Sequence, residues 1–486
     1  MTIIPKRLSE LLSDLPDAKV QGNRNVMVNA VRYDSRLVQT GDLFIAIKGF
    51  ATDGHRFISQ AVEKGAIAIV HKDPWVPPLN ITGIQVPSSR KALAIVAACF
   101  FDHPDRSMKL IGVTGTNGKT TIAHMLWSIF QQAQPPAGMI GTIENRIGTD
   151  NIPTSRTTPE SSDLQELFAQ MREKGVGVVS MEVSSHSLVL DRVQGLNFSA
   201  AVFTNLSHEH LDFHHTIVEY RDAKALLFKN LDKSATAILN YDDSTSRYYC
   251  ALTQAKTWTY SAKDAEADLY GFDVHYDWYG NRLMVRTPMG VKHFETPLPG
   301  GFNVSNLLAA VGAALALEIP LDDIRQGLAT LKSVPGRFER VPLNAPFTVI
   351  VDYAHTPDAL DNCLKTARAL PGKRLITVFG CGGDRDKTKR PVMGKIVQSR
   401  SDLTIVTSDN PRTEDPEQII LDITKGMDKT RPFIVEPDRR HAIRKALSEA
   451  KEGDVVVIAG KGHETYQLIG NRSEPFDDRK VVLECF

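Results

Sequence analysis

The run Gly115-Thr116-Asn117-Gly118-Lys119-Thr120-Thr121 carries the strongest chemical signal in the chain. Its glycines let backbone N–H groups approach a phosphate, and a helix beginning just after them favours an anion at its N-terminus. A lysine in the place of Lys119 neutralises β/γ-phosphate charge, and the Thr120 hydroxyl can hold Mg²⁺. The strict G-x-x-x-x-G-K-[ST] pattern fails, because Val113 occupies the first glycine position. What survives is the order strand, glycine loop, helix, and with it the expectation of a bound nucleotide phosphate.

Other polar residues also follow apolar runs. Glu182, in Met181-Glu182-Val183-Ser184-Ser185-His186, is acidic where continuous burial would predict an apolar residue. It reads either as a Mg²⁺ ligand or as a strand-end carboxylate paired with a lysine. The stretch His208-Glu209-His210-Leu211-Asp212-Phe213-His214-His215 fits no standard zinc spacing. It is either a solvated loop or a polar tip near the nucleotide. Lys224 lies in a helical stretch, and nothing local distinguishes it. Arg385 and Arg412 each stand at a strand tip. Arginine grips carboxylates in bidentate fashion, though a surface ion pair is the commoner fate of any one arginine.

The elements that must position these residues alternate between strand and helix. Leu110-Ile111-Gly112-Val113 is a buried-strand candidate before the glycine loop, and Ile122, Met125, Leu126, Ile129 and Phe130 form one apolar helix face after it. Val176–Val183, Ala200–Phe203 and Thr236–Leu239 are further strand candidates. In the last third the strands are Phe347–Val351, Leu375–Phe379, Leu403–Val406 and Val455–Ile458. Each ends in a polar or glycine-rich tip. Such alternation predicts parallel sheets covered by helices on both faces, with ligands beyond the carboxyl ends of the strands. The fold class is α/β in three domains. A smaller mixed α/β domain spans 1–105, a central phosphate-loop domain 106–333 and a C-terminal Rossmann-like domain 334–486.

Bulk properties narrow the class. The 486 residues balance 57 Lys+Arg against 57 Asp+Glu, so no general basic field argues for nucleic acid. Cys99, Cys250, Cys363, Cys381 and Cys485 are scattered and lack C-x-x-C spacing, which points to reduced thiols in the cytoplasm. The longest apolar run, Ala92–Phe101, is about half of what a bilayer needs. A soluble cytoplasmic protein, with no membrane partner and monomeric, is the expectation.

Taken together, Gly115–Thr121, Glu182-Val183-Ser184-Ser185-His186, Thr204-Asn205-Leu206-Ser207, Asn303, Arg337 and Asp352-Tyr353-Ala354-His355 resemble, in order, the Mur ligases of bacterial cell-wall synthesis. The resemblance covers essentially the whole chain. It implies an ATP-dependent amide ligase of peptidoglycan synthesis, and so of cell shape and division. Asp409-Asn410-Pro411-Arg412 is similar to the box of members that add meso-2,6-diaminopimelate rather than L-lysine to UDP-N-acetylmuramoyl-L-alanyl-D-glutamate.

By the same resemblance, Gly115, Thr116, Asn117, Gly118, Lys119, Thr120, Thr121, Asn303, Arg337 and Asp352 surround ATP. Tyr33, Ser35, Phe50, Ala51, Thr52, Arg156, Thr157, Thr158, Ser184, Leu190 and Arg192 hold the UDP-sugar dipeptide. Arg156 and Leu190 depart from the asparagine and glutamine of some members. Arg385, Asp409, Asn410, Pro411, Arg412, Gly460 and Glu464 hold diaminopimelate. Thr120, Glu182, His210 and a carbamylated Lys224 hold Mg²⁺, with Lys119, Lys224 and His210 as the catalytic set. Folylpolyglutamate synthetase resembles the central part too, but the N-terminal segment and the Asp409–Arg412 box argue against it. A motor or signalling nucleotidase would need a Walker-B aspartate and would not need the arginine tips. A nucleotide-binding module that senses a cell-wall precursor is the non-enzymatic alternative.

Overall fold

The computed structural model describes residues 4–49 and 52–486. Three principal sheets follow one another along the chain. The first has five strands in the order Lys19–Gln21, Thr82–Gln85, Ala68–His71, Leu43–Ile45 and Val31–Arg32, all neighbours parallel except the first pair. Helices Ile58–Glu63 and Ser89–Phe100 cover it.

The central sheet has eleven strands. Its middle is parallel, with Lys109–Thr114 lying between Val178–Glu182 and Phe198–Phe203. Alternate residues of these strands feed opposite cores. Ile111, Val113, Ala200 and Val202 pack with helices Lys119–Ala133 and Phe302–Ala316. Leu110, Ala201 and Phe203 pack with Ser161–Glu173 and Ile217–Lys229. A strand buried on both faces must be apolar throughout, which is why Glu182 stands out. Beyond Lys256–Ser261 the sheet continues as a meander, Leu269–Asp277, Gly280–Thr287 and Gly290–Thr296, whose internal pairings are antiparallel.

The third sheet has six strands. Thr348–Asp352, Val455–Ala459, Leu375–Phe379 and Leu403–Val406 are parallel neighbours, with an antiparallel edge at Glu339–Arg340. The four strands expected here are found within one residue of their expected ends. No helix of the described residues is long and apolar enough to cross a membrane.

Candidate functional site

Three neighbouring carboxyl ends of the central sheet build the phosphate loop. Gly115 and Gly118 have φ of 146° and 91°, values that only glycine adopts without strain. A Cβ on Gly115 would collide with the Thr204 hydroxyl at the next strand end. Thr116 N–H donates to Asn205 O (2.8 Å) and Asn117 N–H to Asn205 Oδ1 (2.9 Å), so the Thr204-Asn205 tip fixes the loop. Lys119 Nζ folds back onto Gly115 O (2.9 Å) and Thr116 O (2.7 Å). Burial lowers its pKa, opposed by Glu209 and Glu182.

Glu182 is the hub on the other side of the loop. It is fully buried and accepts from Thr120 Oγ1 (3.0 Å), Thr142 N (2.7 Å) and Thr142 Oγ1 (3.0 Å). Its recorded partners are hydroxyls and an amide, not a lysine. Arg337 Nη2 donates to Thr120 Oγ1 (3.2 Å), bringing the C-terminal unit to the same point.

Lys224 is buried, with 1% of its surface exposed. Its Nζ donates to Gly115 O (2.9 Å), the acceptor Lys119 also uses, and lies 4.2 Å from the centre of the Tyr220 ring. Burial and the neighbouring Lys119 cation hold its pKa well below the ordinary lysine value. The histidine-rich stretch is partly solvated and partly packed: His208, His210, Asp212 and His215 are exposed, while His214 is buried. His210 and Phe213 pack against the His186 ring. Burial pushes the Glu209 carboxyl up, but Lys119, His210, His355 and Lys224 outweigh it and hold it low. Burial also lowers His210, whose Nε2 lies 3.7 Å from Glu209 Oε2. Glu209 is a residue that sequence reasoning did not single out, although it sat inside the histidine motif.

Asn303 donates to Pro299 O (2.8 Å) and accepts from Asn306 Nδ2 (2.8 Å). Asn306 Oδ1 in turn abuts Gly118, so this pair touches the loop. Asp352 accepts from Phe338 N (2.6 Å) and Ala354 N (2.8 Å), which places Arg337 beside it. Asp358 also went unnoticed. Its Oδ2 receives Asn117 Nδ2 (3.2 Å) and Ser207 Oγ (3.0 Å). An acid in the first turn of helix Pro357–Ala369 reads as a dipole partner, and only the tertiary contact reveals more.

The expected dipeptide residues gather next to Glu182. Thr158 Oγ1 donates to Glu182 O (2.8 Å), Ser184 N–H donates to Thr158 Oγ1 (3.2 Å), and Thr157 Oγ1 lies 3.1 Å from Thr142 Oγ1. Arg192 Nη1 donates to Thr158 O (3.0 Å). Arg156 pairs with Glu160 (2.8 Å), which accounts for an arginine at that departure. Leu190 contributes its carbonyl, which accepts from Arg90, so that contact does not depend on its side chain.

In the first unit, Ser35 is buried and donates to Gln60 (2.8 Å), and the Tyr33 hydroxyl donates to Asp163 Oδ2 (2.7 Å). Those side chains are thus engaged within the protein, Tyr33 as a tie to the central unit. Thr52 O accepts from Gly49 N–H (2.8 Å). Phe50 and Ala51 lie outside the described residues.

In the C-terminal unit the structure brings together Asp409, Asn410, Pro411, Arg412, Gly460 and Glu464. Asn410 Nδ2 donates to Glu464 Oε2 (2.8 Å), and a Cβ on Gly460 would press on Asp409 Oδ2. Fully buried Lys461, absent from the expected set, bonds Asn410 Oδ1 (2.9 Å) and Glu464 Oε2 (3.1 Å). Arg412 has φ of 53° and donates through Nη1 to Gly383 O (2.7 Å). Glu414 joins the two tips by accepting from Asp384 N (2.6 Å) and from buried Arg390 (2.8 Å). Arg385 is the exception to this gathering. It is exposed, and its recorded bond is to Asp384 O (3.1 Å).

Fold and site together define a phosphate-loop α/β enzyme whose loop adjoins two further polar sites. Residues 113–314 match the model of the Mur ligase middle domain, 336–462 that of the Mur ligase glutamate ligase domain, and 27–101 that of the Mur ligase family catalytic domain. The chain is 47% identical over 485 residues to UDP-N-acetylmuramoyl-L-alanyl-D-glutamate--2,6-diaminopimelate ligase of Geobacillus thermodenitrificans, covering 98% of each chain. A solved structure of a ligase of that name superposes with a TM-score of 0.71 at 33% identity over 99% of both chains. A Mycobacterium tuberculosis folylpolyglutamate synthase complexed with ADP and AMPPCP shares the fold, with a TM-score of 0.63 at 21% identity over 76% of this chain and 92% of that one. This chain belongs to the Mur ligase family.

Proposed function

We propose that this chain adds meso-2,6-diaminopimelate to UDP-N-acetylmuramoyl-L-alanyl-D-glutamate at the expense of ATP, in peptidoglycan synthesis. The observation that carries the reading is the Thr120–Glu182–Thr142–Thr157 chain, which links the phosphate loop to the dipeptide residues through contacts of 3.0–3.1 Å. A phosphoryl donor and a carboxylate acceptor bound there would be neighbours. The identity of 47% with a relative of that name supports the substrates. We place the domain boundaries at 1–105, 106–333 and 334–486, with the three sheets as support. A monomer is the proposed state, and the need for ATP supports a cytoplasmic location.

A carboxylate oxygen of D-glutamate attacks the γ-phosphorus of ATP, the bond from phosphorus to the β-bridging oxygen breaks, and ADP leaves. The free amine of diaminopimelate then attacks the acyl phosphate carbon. The tetrahedral intermediate expels phosphate and loses a proton, leaving the amide. The loop amides and Lys119 neutralise phosphate charge, and Arg337 stands ready at Thr120. Thr120 and Glu182 offer the hard oxygens that suit Mg²⁺, and that ion, when bound, would offset phosphate charge. His210 and a carbamylated Lys224 extend the set. The test is ADP release, which should require both the UDP-sugar dipeptide and diaminopimelate. Release that ignores either one overturns the proposal.

Carbamylation joins the neutral Lys224 amine to CO₂ and releases one proton. An ordinary lysine is almost wholly ammonium below its usual value. Lys224, with its pKa well below the ordinary 10.5, is neutral from a lower pH upward. The reactive fraction therefore rises with pH through the lowered value. Enzyme stripped of CO₂ should regain activity on adding bicarbonate, more completely at higher pH. Lys224→Arg should ignore bicarbonate and be slower by about 10²-fold, the scale of one lost electrostatic group. Intact mass before and after stripping checks the adduct.

A further inference from the structure

One buried arginine cluster has at its centre a carboxylate that the mechanism leaves unused. Glu160 is only 3% exposed, and three guanidinium groups converge on it. Arg90 Nη1 lies 3.2 Å from Oε2, while Arg156 Nη1 and Arg192 Nε lie 2.8 Å and 3.0 Å from Oε1. Arg90 comes from helix Ser89–Phe100 of the first unit. Its Nε donates to Lys48 O (2.9 Å), at the bridge between Lys48 and Asp53, and its Nη1 also donates to Leu190 O (3.3 Å). Glu160 follows Thr157-Thr158-Pro159, and Leu190 precedes Arg192 by two residues. One guanidinium thus ties Lys48 of the first unit to both segments that carry the dipeptide residues.

We propose that Arg90 and Glu160 are a positioning pair that fixes the distance between the first unit, at its Lys48–Asp53 bridge, and the dipeptide segment, so that one long substrate engages both units at once. The inference rests on the proposed function. Its physical logic is that of a two-point ligand. When two subsites are held at the right spacing, the second contact forms at high effective concentration, and loosening the spacing forfeits that gain without harming either subsite. Arginine suits the task because its planar fork reaches three acceptors, which a lysine ammonium on a flexible stem does not hold in fixed geometry. Glu160 is equally needed. Without its charge, three guanidiniums face one another in a largely buried space, and Arg192 loses the anion that orients it. Burial lowers the Arg192 pKa, and the Glu160 carboxylate opposes that shift.

The experiment measures steady-state kinetics of Arg90→Gln, Arg90→Lys and Glu160→Gln, together with inhibition by UDP alone. Arg90→Gln and Glu160→Gln should raise KM for the UDP-sugar dipeptide about tenfold or more, with Arg90→Lys intermediate. In the Arg90 variants, kcat, KM for ATP and diaminopimelate, and the inhibition constant of UDP should hold within about twofold, because each subsite is intact by itself; in Glu160→Gln, KM for ATP and the inhibition constant of UDP should hold likewise. An unchanged KM for the UDP-sugar dipeptide overturns the proposal. So does a loss of UDP affinity in step with KM, since that marks general damage to the first unit. Arg90→Lys retains charge and bulk, so a folded variant is available if Arg90→Gln fails to fold. A wild-type enzyme that does not turn over the dipeptide overturns the functional reading instead, which separates the two failures.

Discussion

Replacing Lys119 with alanine is expected to lower kcat by about 10³-fold while leaving the fold intact, the upper range for one preorganised charge at a transition state. Its ammonium bonds the carbonyls of Gly115 and Thr116, inside the loop where the phosphates would sit. Phosphoryl transfer leaves little for a protein to do beyond positioning and charge neutralisation, so removing the charge removes most of what the loop contributes. The fold should survive for a separate reason. Lys119 is the first residue of helix Lys119–Ala133, where a cation opposes the helix dipole. Its partners are backbone carbonyls, and the helix is held by fully buried Ile122, Met125, Leu126, Ile129 and Phe130. Thermal unfolding and far-UV circular dichroism should therefore match the wild type while ADP release collapses. A folded variant with near-normal turnover would sink the assignment of the loop.

The loop was legible because its chemistry is local. Glycines, lysine and threonine are contiguous, and the flanking strand and helix announce themselves by apolar period. The C-terminal strand tips were legible for the same reason. The apolar runs lead into Asp352, Gly380, Asp409 and Gly460, and the parallel sheet sets those ends side by side. Lys224 was not legible from its surroundings in sequence. On helix Ile217–Lys229 it is one charged residue among several. Only the folded chain shows it aimed at Gly115, 109 residues away. Asp358 and Arg90 were hidden in the same way, since their roles exist only across units. The antiparallel meander after Leu269 also escaped. Its strands mix buried and exposed residues, as in the burial of Leu283, Val285 and Thr287 against exposed Arg282 and Arg286. Continuous apolar runs, the mark of strands buried on both faces, are absent from that pattern. Arg385 and Arg412 both stand at strand tips in the sequence, yet the structure leaves Arg385 exposed while Arg412 is held by Gly383.

The discrimination between diaminopimelate and L-lysine should depend on Arg412 above all. The two amines differ by one carboxylate at the far end. Arg412 is the proposed partner of that carboxylate, and its own position is fixed. Its N–H donates to Leu468 O (3.0 Å), its guanidinium is held by Gly383 O (2.7 Å), and a side chain at Gly382 would intrude on Nη1. Asn410, Glu464 and Lys461 form a bonded group alongside it, with Asp409 at the neighbouring strand tip, so the far ammonium has carboxylates to face. Lysine would leave the guanidinium without its anion. A site built around a polar substrate group rejects the analogue lacking it by about 10⁴-fold. The wild type should thus favour diaminopimelate in kcat/KM by roughly that factor. Arg412→Ala should lower kcat/KM for diaminopimelate by about 10²–10³-fold, the cost of one lost charged contact, and leave lysine nearly unchanged. The preference then narrows from its lysine-poor side only through loss of the good substrate, which separates lost recognition from general damage. Equal coupling of both amines by the wild type would show that this box does not select the substrate. A parallel fall for both amines in Arg412→Ala would show that Arg412 braces the loop rather than reading the carboxylate.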